Sequence, residues 1–146
     1  MERRKFIKAC CYSAISLPIM GSVLSSCGAI YYAKVIQEPK RLVISKSEFW
    51  TLKKDKEIKR HFVMITTKAS AFPICLYNIK EEEYAASLLE CTHKGCELNV
   101  GGGIYSCPCH GSEFTIHGEV VEGPADRNLT TFVIETDEDN IYVNIS

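Results

Sequence analysis

Two short Cys/His motifs dominate the chemistry that this sequence of 146 residues could support. The first is CTHKGC, in which Cys91 and His93 have the spacing C-x-H. The second is CPCHGS, in which Cys107 and His110 have the spacing C-x-x-H. Two thiolates and two imidazoles can hold a metal, and each motif supplies one of each, unlike the Cys-Cys-then-His-His order of a zinc finger. We therefore expect a metal centre between two loops, with structural zinc as the alternative.

The paired motifs resemble those of the Rieske family of [2Fe–2S] proteins, over about residues 62–146 of this chain. In that family two cysteines bind one iron and two histidines bind the other. The resemblance implies one [2Fe–2S] cluster, with Cys91 and Cys107 on the first iron and His93 and His110 on the second. Because neutral imidazoles replace two thiolates, such a cluster has a higher potential than a plant-type ferredoxin. The resemblance also implies that the electron is coupled to a proton on the ligand histidines.

Two more cysteines, Cys96 and Cys109, lie inside the motifs. In the quinol-oxidising branch of the family these positions form a disulfide that joins the two loops. Components of aromatic-ring oxygenases typically lack this pair. The resemblance therefore favours a membrane electron-transfer protein, and export would permit the disulfide.

Residues around the motifs are expected to tune the cluster. Gly123 and Pro124 match the family's proline loop, a stiff cover over the cluster, although the usual second proline is Asp126 here. Ser112 matches the family's serine donor to a bridging sulfide.

Two positions depart from the pattern of the quinol-oxidising members. Phe114 stands where a tyrosine often donates a hydrogen bond to a ligand sulfur. The loss of this hydrogen bond predicts an intermediate reduction potential for the cluster. Lys94 replaces a leucine that shields the cluster near the quinol pocket, which argues against a standard quinol-docking surface.

The N-terminus reads as an export signal over residues 1–26. Paired arginines, Arg3 and Arg4, precede an apolar stretch from about Ala9 to Leu24, which is typical of the twin-arginine route. The sequence LSSC resembles a lipoprotein cleavage box that would lipidate Cys27; an uncleaved anchor is the alternative. Residues 27–41 are expected to be a tether, within which the polar segment 31–41 is a linker or a first edge strand. We expect an exported bacterial protein held at a membrane, with its cluster domain on the extracytoplasmic side.

The remaining chain, residues 42–146, predicts an all-β fold. The resemblance implies a Rieske-type antiparallel β sandwich with a small cluster-binding subdomain at about 88–125. The segment EEEYAASLLE has helical propensity, but its second half is assigned to a strand because it leads into the first motif. Strands are expected at 41–44, 61–67, 72–78, 84–90, 104–106, 130–136 and 141–145.

Other notable residues have structural interpretations. Cys75 lies in an apolar strand and is expected to be a buried, inert thiol, and Trp50 is expected to be a core or edge anchor. Residues 27–80 hold 11 Lys/Arg and 4 Asp/Glu, whereas residues 81–146 hold 2 and 13. The run at 53–60 is mixed in sign and predicts a hairpin tip or loop rather than a binding patch. The formal net charge of −1 argues against a nucleic-acid binder.

Three functions remain open at this point. The first is the iron–sulfur subunit of a quinol:cytochrome c reductase-like complex, with a cytochrome b-type partner, quinol and cytochrome c. The second is an electron-transfer subunit of another exported oxidoreductase, such as an arsenite-oxidase-like enzyme, or a stand-alone lipoprotein carrier. The third is a non-redox binding module with a degenerate site, which the four intact ligand positions argue against.

Overall fold

The computed structural model describes residues 29–146, so the predicted export signal and Cys27 lie outside the described part. Within residues 29–146 the fold is almost entirely β, and its helical structure is the 3-10 turn η1. No helix in this part is both long and apolar enough to cross a bilayer. The elements are β1 Val35–Gln37, β2 Arg41–Ser45, η1 Lys46–Phe49, β3 Trp50–Lys53, β4 Lys56–Lys59, β5 Phe62–Ile65, β6 Ile74–Lys80, β7 Glu83–Leu88, β8 Asn99–Gly101, β9 Ile104–Ser106, β10 Glu113–Thr115, β11 Val120–Glu122, β12 Thr131–Thr136 and β13 Asn140–Asn144.

A seven-stranded sheet forms the base, in the order β1-β2-β13-β12-β7-β6-β5. Apolar and polar residues alternate along its strands. Because successive side chains of a strand point to opposite sides, the apolar ones share one buried face. On β2, Leu42 and Ile44 are fully buried, and they pair with Val143 and Ile141 of β13. These residues belong to a core that also includes side chains of β5, β6, β7 and η1.

The segment before β1 joins the two edges of this sheet. The Ala33 N–H donates to the Met64 carbonyl of β5 at 2.8 Å, and the Met64 N–H donates to the Tyr31 carbonyl at 2.9 Å. Tyr31, Ala33 and Val35 also pack against the core. The later part of the predicted tether therefore folds with the domain and supplies its first edge strand, because its apolar side chains and backbone groups have partners there.

A smaller sheet, in the order β11-β10-β9-β8, spans residues 99–122 and carries the motif loops. A second core lies beneath it, and its fully buried members include Leu89, Tyr105 and Phe114. The GGG sequence, residues 101–103, forms the turn between β8 and β9, where Gly102 and Gly103 have positive φ.

The third sheet is the hairpin of β3 and β4. Its turn residues Lys54 and Asp55 both have positive φ, as a two-residue turn of type I′ requires. The run at 53–60 is thus a hairpin, as predicted. Trp50 is 49% exposed, so a place in the core was the wrong alternative for it.

The longer strands were predicted correctly, including β7 despite its helical propensity. The cross-strand pairs of β7 with β6 outweigh that local preference. Of the shortest strands, β5 and β9 were predicted, whereas β3, β4, β8, β10 and β11 were not among the predicted strands, because three or four residues show little alternation.

Candidate metal centre

The two motif loops have the same backbone hydrogen bonds. In the first, the Gly95 N–H donates to the Cys91 carbonyl and the Cys91 N–H donates to the Cys96 carbonyl, both at 2.8 Å. In the second, the corresponding bonds run from Gly111 to Cys107 at 3.0 Å and from Cys107 to Ser112 at 2.8 Å. Gly95 and Gly111 have φ of +70° and +81°, a conformation that glycine adopts without a Cβ penalty.

The cysteines at the start of the two loops face inward. Cys91 is 2% exposed and Cys107 is 4% exposed, and neither is in a disulfide. Burial raises the pKa of the Cys107 thiol, but hydrogen bonds from Cys91 and from the backbone N–H groups of Cys109 and His110 outweigh it, so the pKa is lowered. A lowered pKa favours the thiolate, the form that binds metal.

The two motif histidines lie together on the outer side of the cysteines. The ring centroids of His93 and His110 are 4.9 Å apart and the rings are nearly perpendicular, at 88°. His110 is exposed, whereas His93 is half-buried. The loops thus place two thiols inside and two imidazoles outside.

These residues fit an iron–sulfur cluster held by two sulfurs and two nitrogens. His93 Nδ1 is buried and has no hydrogen-bond partner among residues 29–146. An orphaned buried nitrogen is costly, and a bond to a metal would satisfy it. The donor set of two thiolates and two imidazoles is that of a Rieske centre.

The predicted disulfide between Cys96 and Cys109 is present, with an S–S distance of 2.07 Å. It joins the sixth residue of the first loop to the third residue of the second. The sulfurs of Cys96, Cys107 and Cys109 all lie within 4.8 Å of one another. Because Cys96 and Cys109 are oxidised, only Cys107 of these three could offer a thiolate to a metal.

The proline loop packs over the second motif loop. The Ala125 N–H donates to the Ser112 hydroxyl oxygen at 3.0 Å, and Ser112 is fully buried. A hydroxyl that accepts through a lone pair retains its own hydrogen for another acceptor. The contact therefore leaves Ser112 free to donate toward the cluster side. The adjoining Gly123–Pro124 peptide bond is cis.

Two hydrogen bonds between Thr92 and Arg127, which the sequence did not predict, join the first motif loop to the proline loop; we call this pair the Thr92–Arg127 brace. The Thr92 hydroxyl donates to the Arg127 carbonyl at 2.6 Å, and Arg127 Nη2 donates to the Thr92 carbonyl at 3.2 Å. Beside it lies a cavity of about 340 Å³, with a polar lining that includes His93, Glu90 and Thr130. No motif marks this pair, because 35 positions separate its members.

Three other predicted residues occupy different surroundings. Phe114 is fully buried and pairs with Tyr105 across β10 and β9. Lys94 is exposed at the tip of the first loop. Cys75 is fully buried, and burial raises its pKa to about 12, so the thiol stays protonated at neutral pH. Its burial agrees with the predicted inert thiol.

The comparisons with known proteins agree with this geometry. Residues 48–133 match the family model of the Rieske [2Fe-2S] domain. A segment of 56 residues is 46% identical to the cytochrome b6-f complex iron-sulfur subunit of Prochlorococcus marinus, covering 37% of this chain and 32% of that protein. A segment of 53 residues is 45% identical to the same subunit of a Synechococcus species, covering 35% of this chain and 31% of that protein. The matched segments thus span about a third of these relatives.

A solved structure gives a longer match. The cyanobacterial plasma membrane Rieske protein PetC3 from Synechocystis PCC 6803 is 33% identical, with a TM-score of 0.51, over 57% of this chain and 86% of that one. Because the family model matches more than half of the chain, the chain belongs to the Rieske [2Fe–2S] domain family. Its cofactor is one [2Fe–2S] cluster.

Proposed function

We propose that this protein transfers one electron at a time as the iron–sulfur subunit of a membrane quinol-oxidising complex. The observation that carries the proposal is the loop pair itself: two buried cysteines, two outer histidines, and the Cys96–Cys109 disulfide across them. The matched relatives named as cytochrome b6-f subunits support the choice of complex.

When bound, the [2Fe–2S] cluster supplies one-electron oxidation and reduction. Cys91 and Cys107 would hold the inner iron, and His93 and His110 the outer one. The exposed His110 offers a partner the shortest approach, and an imidazole can accept a hydrogen bond from a quinol hydroxyl. Ser112 holds the proline loop through Ala125, and the Thr92–Arg127 brace holds it to the first loop. Together these contacts tie the proline loop to both motif loops.

The ligand assignment is tested by substitution in the full chain, read by the EPR spectrum. Changing Cys91, His93, Cys107 or His110 to alanine should abolish the Rieske spectrum. Cys75→Ala and His117→Gln are matched controls, because Cys75 is a buried free thiol and His117 is an exposed imidazole, both outside the motif loops. A spectrum that survives any of the four changes would contradict the assignment.

We further propose that the chain is exported and tethered to a membrane through its N-terminal segment. The apolar stretch from Ala9 to Leu24 and the LSSC sequence support this. Metabolic labelling with a palmitate analogue should tag the wild type but not Cys27→Ala. If both carry no label but float with membranes, the uncleaved anchor is the correct alternative.

A second function is favoured by Lys94, which is exposed where quinol-oxidising relatives would present an apolar side chain. The protein would then serve a different exported oxidoreductase, or act as a separate carrier. Co-purification from membranes distinguishes the two: a cytochrome b partner supports the first proposal, and a molybdenum subunit or a lone chain supports the second.

The substitution Lys94→Leu gives a kinetic test of the same question. Removing a charge at the loop tip should raise turnover with quinol several-fold if that tip docks at a quinol site, because an apolar contact replaces a desolvated ammonium group. Lys80→Leu, at an exposed position of β6 on the end opposite the one that β7 connects to the first motif, is the control. Unchanged turnover in Lys94→Leu would argue against docking through this loop.

A further inference from the structure

The β3–β4 hairpin, residues 50–59, combines exposed apolar side chains with excess positive charge. We call it the basic hairpin. Trp50, Leu52 and Ile58 are 49%, 74% and 43% exposed. Around them are four lysines and two acidic residues: Lys53, Lys54, Lys56, Lys59, Asp55 and Glu57.

Strand register distributes these side chains over both faces. Trp50 pairs with Lys59 and Leu52 with Glu57 on one face, while Ile58 pairs with Thr51 on the other. The Lys59 ammonium lies 5.8 Å from the centroid of the Trp50 ring. Tryptophan beside lysine is the composition found where proteins meet the headgroup layer of a membrane.

The hairpin adjoins the point where the described chain begins. Arg60, directly after β4, donates to the Trp50 carbonyl at 2.6 Å, and its guanidinium lies 3.9 Å from the centroid of the Tyr31 ring. Ala29 and Ile30 line a cavity of about 210 Å³ together with Arg60. Ile30 and the neighbouring Tyr32 are half exposed. The chain start and the basic hairpin thus share one surface.

Chain length keeps this surface close to the predicted anchor. Cys27 precedes Ala29 by two positions, and the apolar stretch ends at Leu24. Five residue steps from Leu24 to Ala29 span at most about 18 Å when fully extended. Any membrane that holds the N-terminal segment therefore lies within reach of the basic hairpin.

The motif loops lie at the other end of the sheet. Ile65 pairs with Ile74, and Ile74 pairs with Leu88, which leads to the first motif. The hairpin instead enters β5 at Phe62, the opposite end of that strand. Contact between the hairpin and a membrane would leave the motif loops accessible to a partner.

We propose that the basic hairpin docks on the anionic surface of the membrane that holds the N-terminal segment. Trp50 and Leu52 enter the headgroup layer with Lys59 on the same face. Lys54 in the turn, and Lys53 and Lys56 beside it, extend their long side chains around the hairpin tip to anionic phospholipid headgroups. This inference rests on the proposed membrane tether. It departs from the sequence-based interpretation of this run because the sequence did not show that Trp50, Leu52 and Ile58 remain uncovered.

Trp50 is the single tryptophan of the chain and reports its own depth. The full chain is reconstituted in vesicles of phosphatidylcholine, with or without phosphatidylglycerol. With phosphatidylglycerol, we expect blue-shifted Trp50 emission and quenching by brominated lipid. The triple variant Lys53→Gln/Lys54→Gln/Lys56→Gln should lose about half or more of that quenching.

The control variant Lys40→Gln/Lys68→Gln/Lys80→Gln removes the same charge from exposed positions outside the hairpin. It should retain the quenching, and equal loss in both triples would overturn the proposal. Flotation of the vesicles separates docking from tethering. If the chain floats with the vesicles but acrylamide quenches Trp50 as strongly as it does in detergent, the docking proposal is wrong and the tether proposal is unaffected. A chain that does not float overturns both.

Discussion

At the scale of single residues, the candidate site combines two buried thiols, two imidazoles at its outer side, and the hydrogen bonds that hold their loops. Thiols and imidazoles at fixed spacing marked the ligand candidates because few other uses require that pattern. Burial and hydrogen bonds were not readable in the same way. The orphaned Nδ1 of His93 and the brace of Thr92 with Arg127 depend on groups brought together by the fold.

A substitution of Ser112 tests its proposed role as a hydrogen-bond donor to the cluster. Ser112→Ala removes a hydroxyl that accepts from the buried Ala125 N–H and can donate toward the cluster. We expect the midpoint potential to fall by about 50–90 mV, equivalent to a lost hydrogen bond of about 1–2 kcal/mol. A redox titration followed by EPR measures it. Ser106→Ala, on β9, is the control, and an equal potential in wild type and Ser112→Ala would contradict the donor role.

At the scale of elements, alternation predicted the long strands and failed for most of the short ones. β2 and β13 alternate buried and half-buried residues along their whole length. The strands of the small sheet are mostly three residues long, and their pairing depends on the loops that they carry. Their glycines have positions that only the packed structure explains.

Gly118 is the sharpest case among these glycines. It has φ of +81°, and an added Cβ would lie 2.8 Å from Thr131 Cγ2 and 3.2 Å from Leu129 Cβ. Gly118→Ala should lower the free energy of unfolding by about 2–4 kcal/mol, from strain and overpacking together. Gly102→Ala, at φ of +62° with no atom within 4 Å of the added Cβ, should cost only the conformational part, about 1–2 kcal/mol. Urea unfolding compares the two variants. Equal losses in the free energy of unfolding would show that the side chains around Gly118 move to accommodate the added methyl group.

The β12–β13 turn gives a prediction about pH. The Tyr142 hydroxyl and the backbone N–H groups of Asn140 and Asp139 donate to Asp137 and lower the pKa of its carboxyl from 3.8 to about 2. The ionised form is therefore favoured in the folded state. Its stabilisation is present above pH 3.8 and is lost as pH falls through about 2.

Asp137→Asn should consequently be less stable than wild type at neutral pH, and the difference should shrink as pH falls toward 2. Urea midpoints across that range measure it. Glu138→Gln changes a charge in the same turn without touching the Tyr142 hydroxyl, and it should not show the converging profile. A pH-independent difference for Asp137→Asn would contradict the assigned hydrogen bonds.

At the scale of the whole molecule, the sequence indicated an all-β domain, and the structure shows that residues 31–37 fold with it. Residues 31–41 are polar and contain Pro39, and so resemble a linker. Their function in the fold depends on Met64, more than thirty positions away, whose backbone they pair with. Sequence periodicity contains no signal for such a distant partner. The closed sheet that results leaves fewer edges for unwanted pairing.

Three fragments test whether the contacts between the segment before β1 and β5 stabilise the fold. A fragment starting at residue 42 lacks β1 and the bonds to Met64, whereas one starting at 29 retains them. The shorter fragment should be less stable by about 3 kcal/mol or more, from the lost burial of Tyr31, Ala33 and Val35. Chemical denaturation measures the difference, with a fragment starting at 31 as the control. Equal stability of all three fragments would show that pairing of the segment before β1 with β5 does not stabilise the fold.

The matching hydrogen bonds of the two motif loops have one more consequence. The loops are near-copies in backbone but not in side chains, since the imidazole is at the third position of one loop and the fourth of the other. A cluster held by such a pair would have two unlike sides, one at His93 and one at His110. Any redox partner arriving from solvent meets the exposed His110 before the half-buried His93. The difference of one residue step thus gives electron exchange a preferred side of the site, the one at His110.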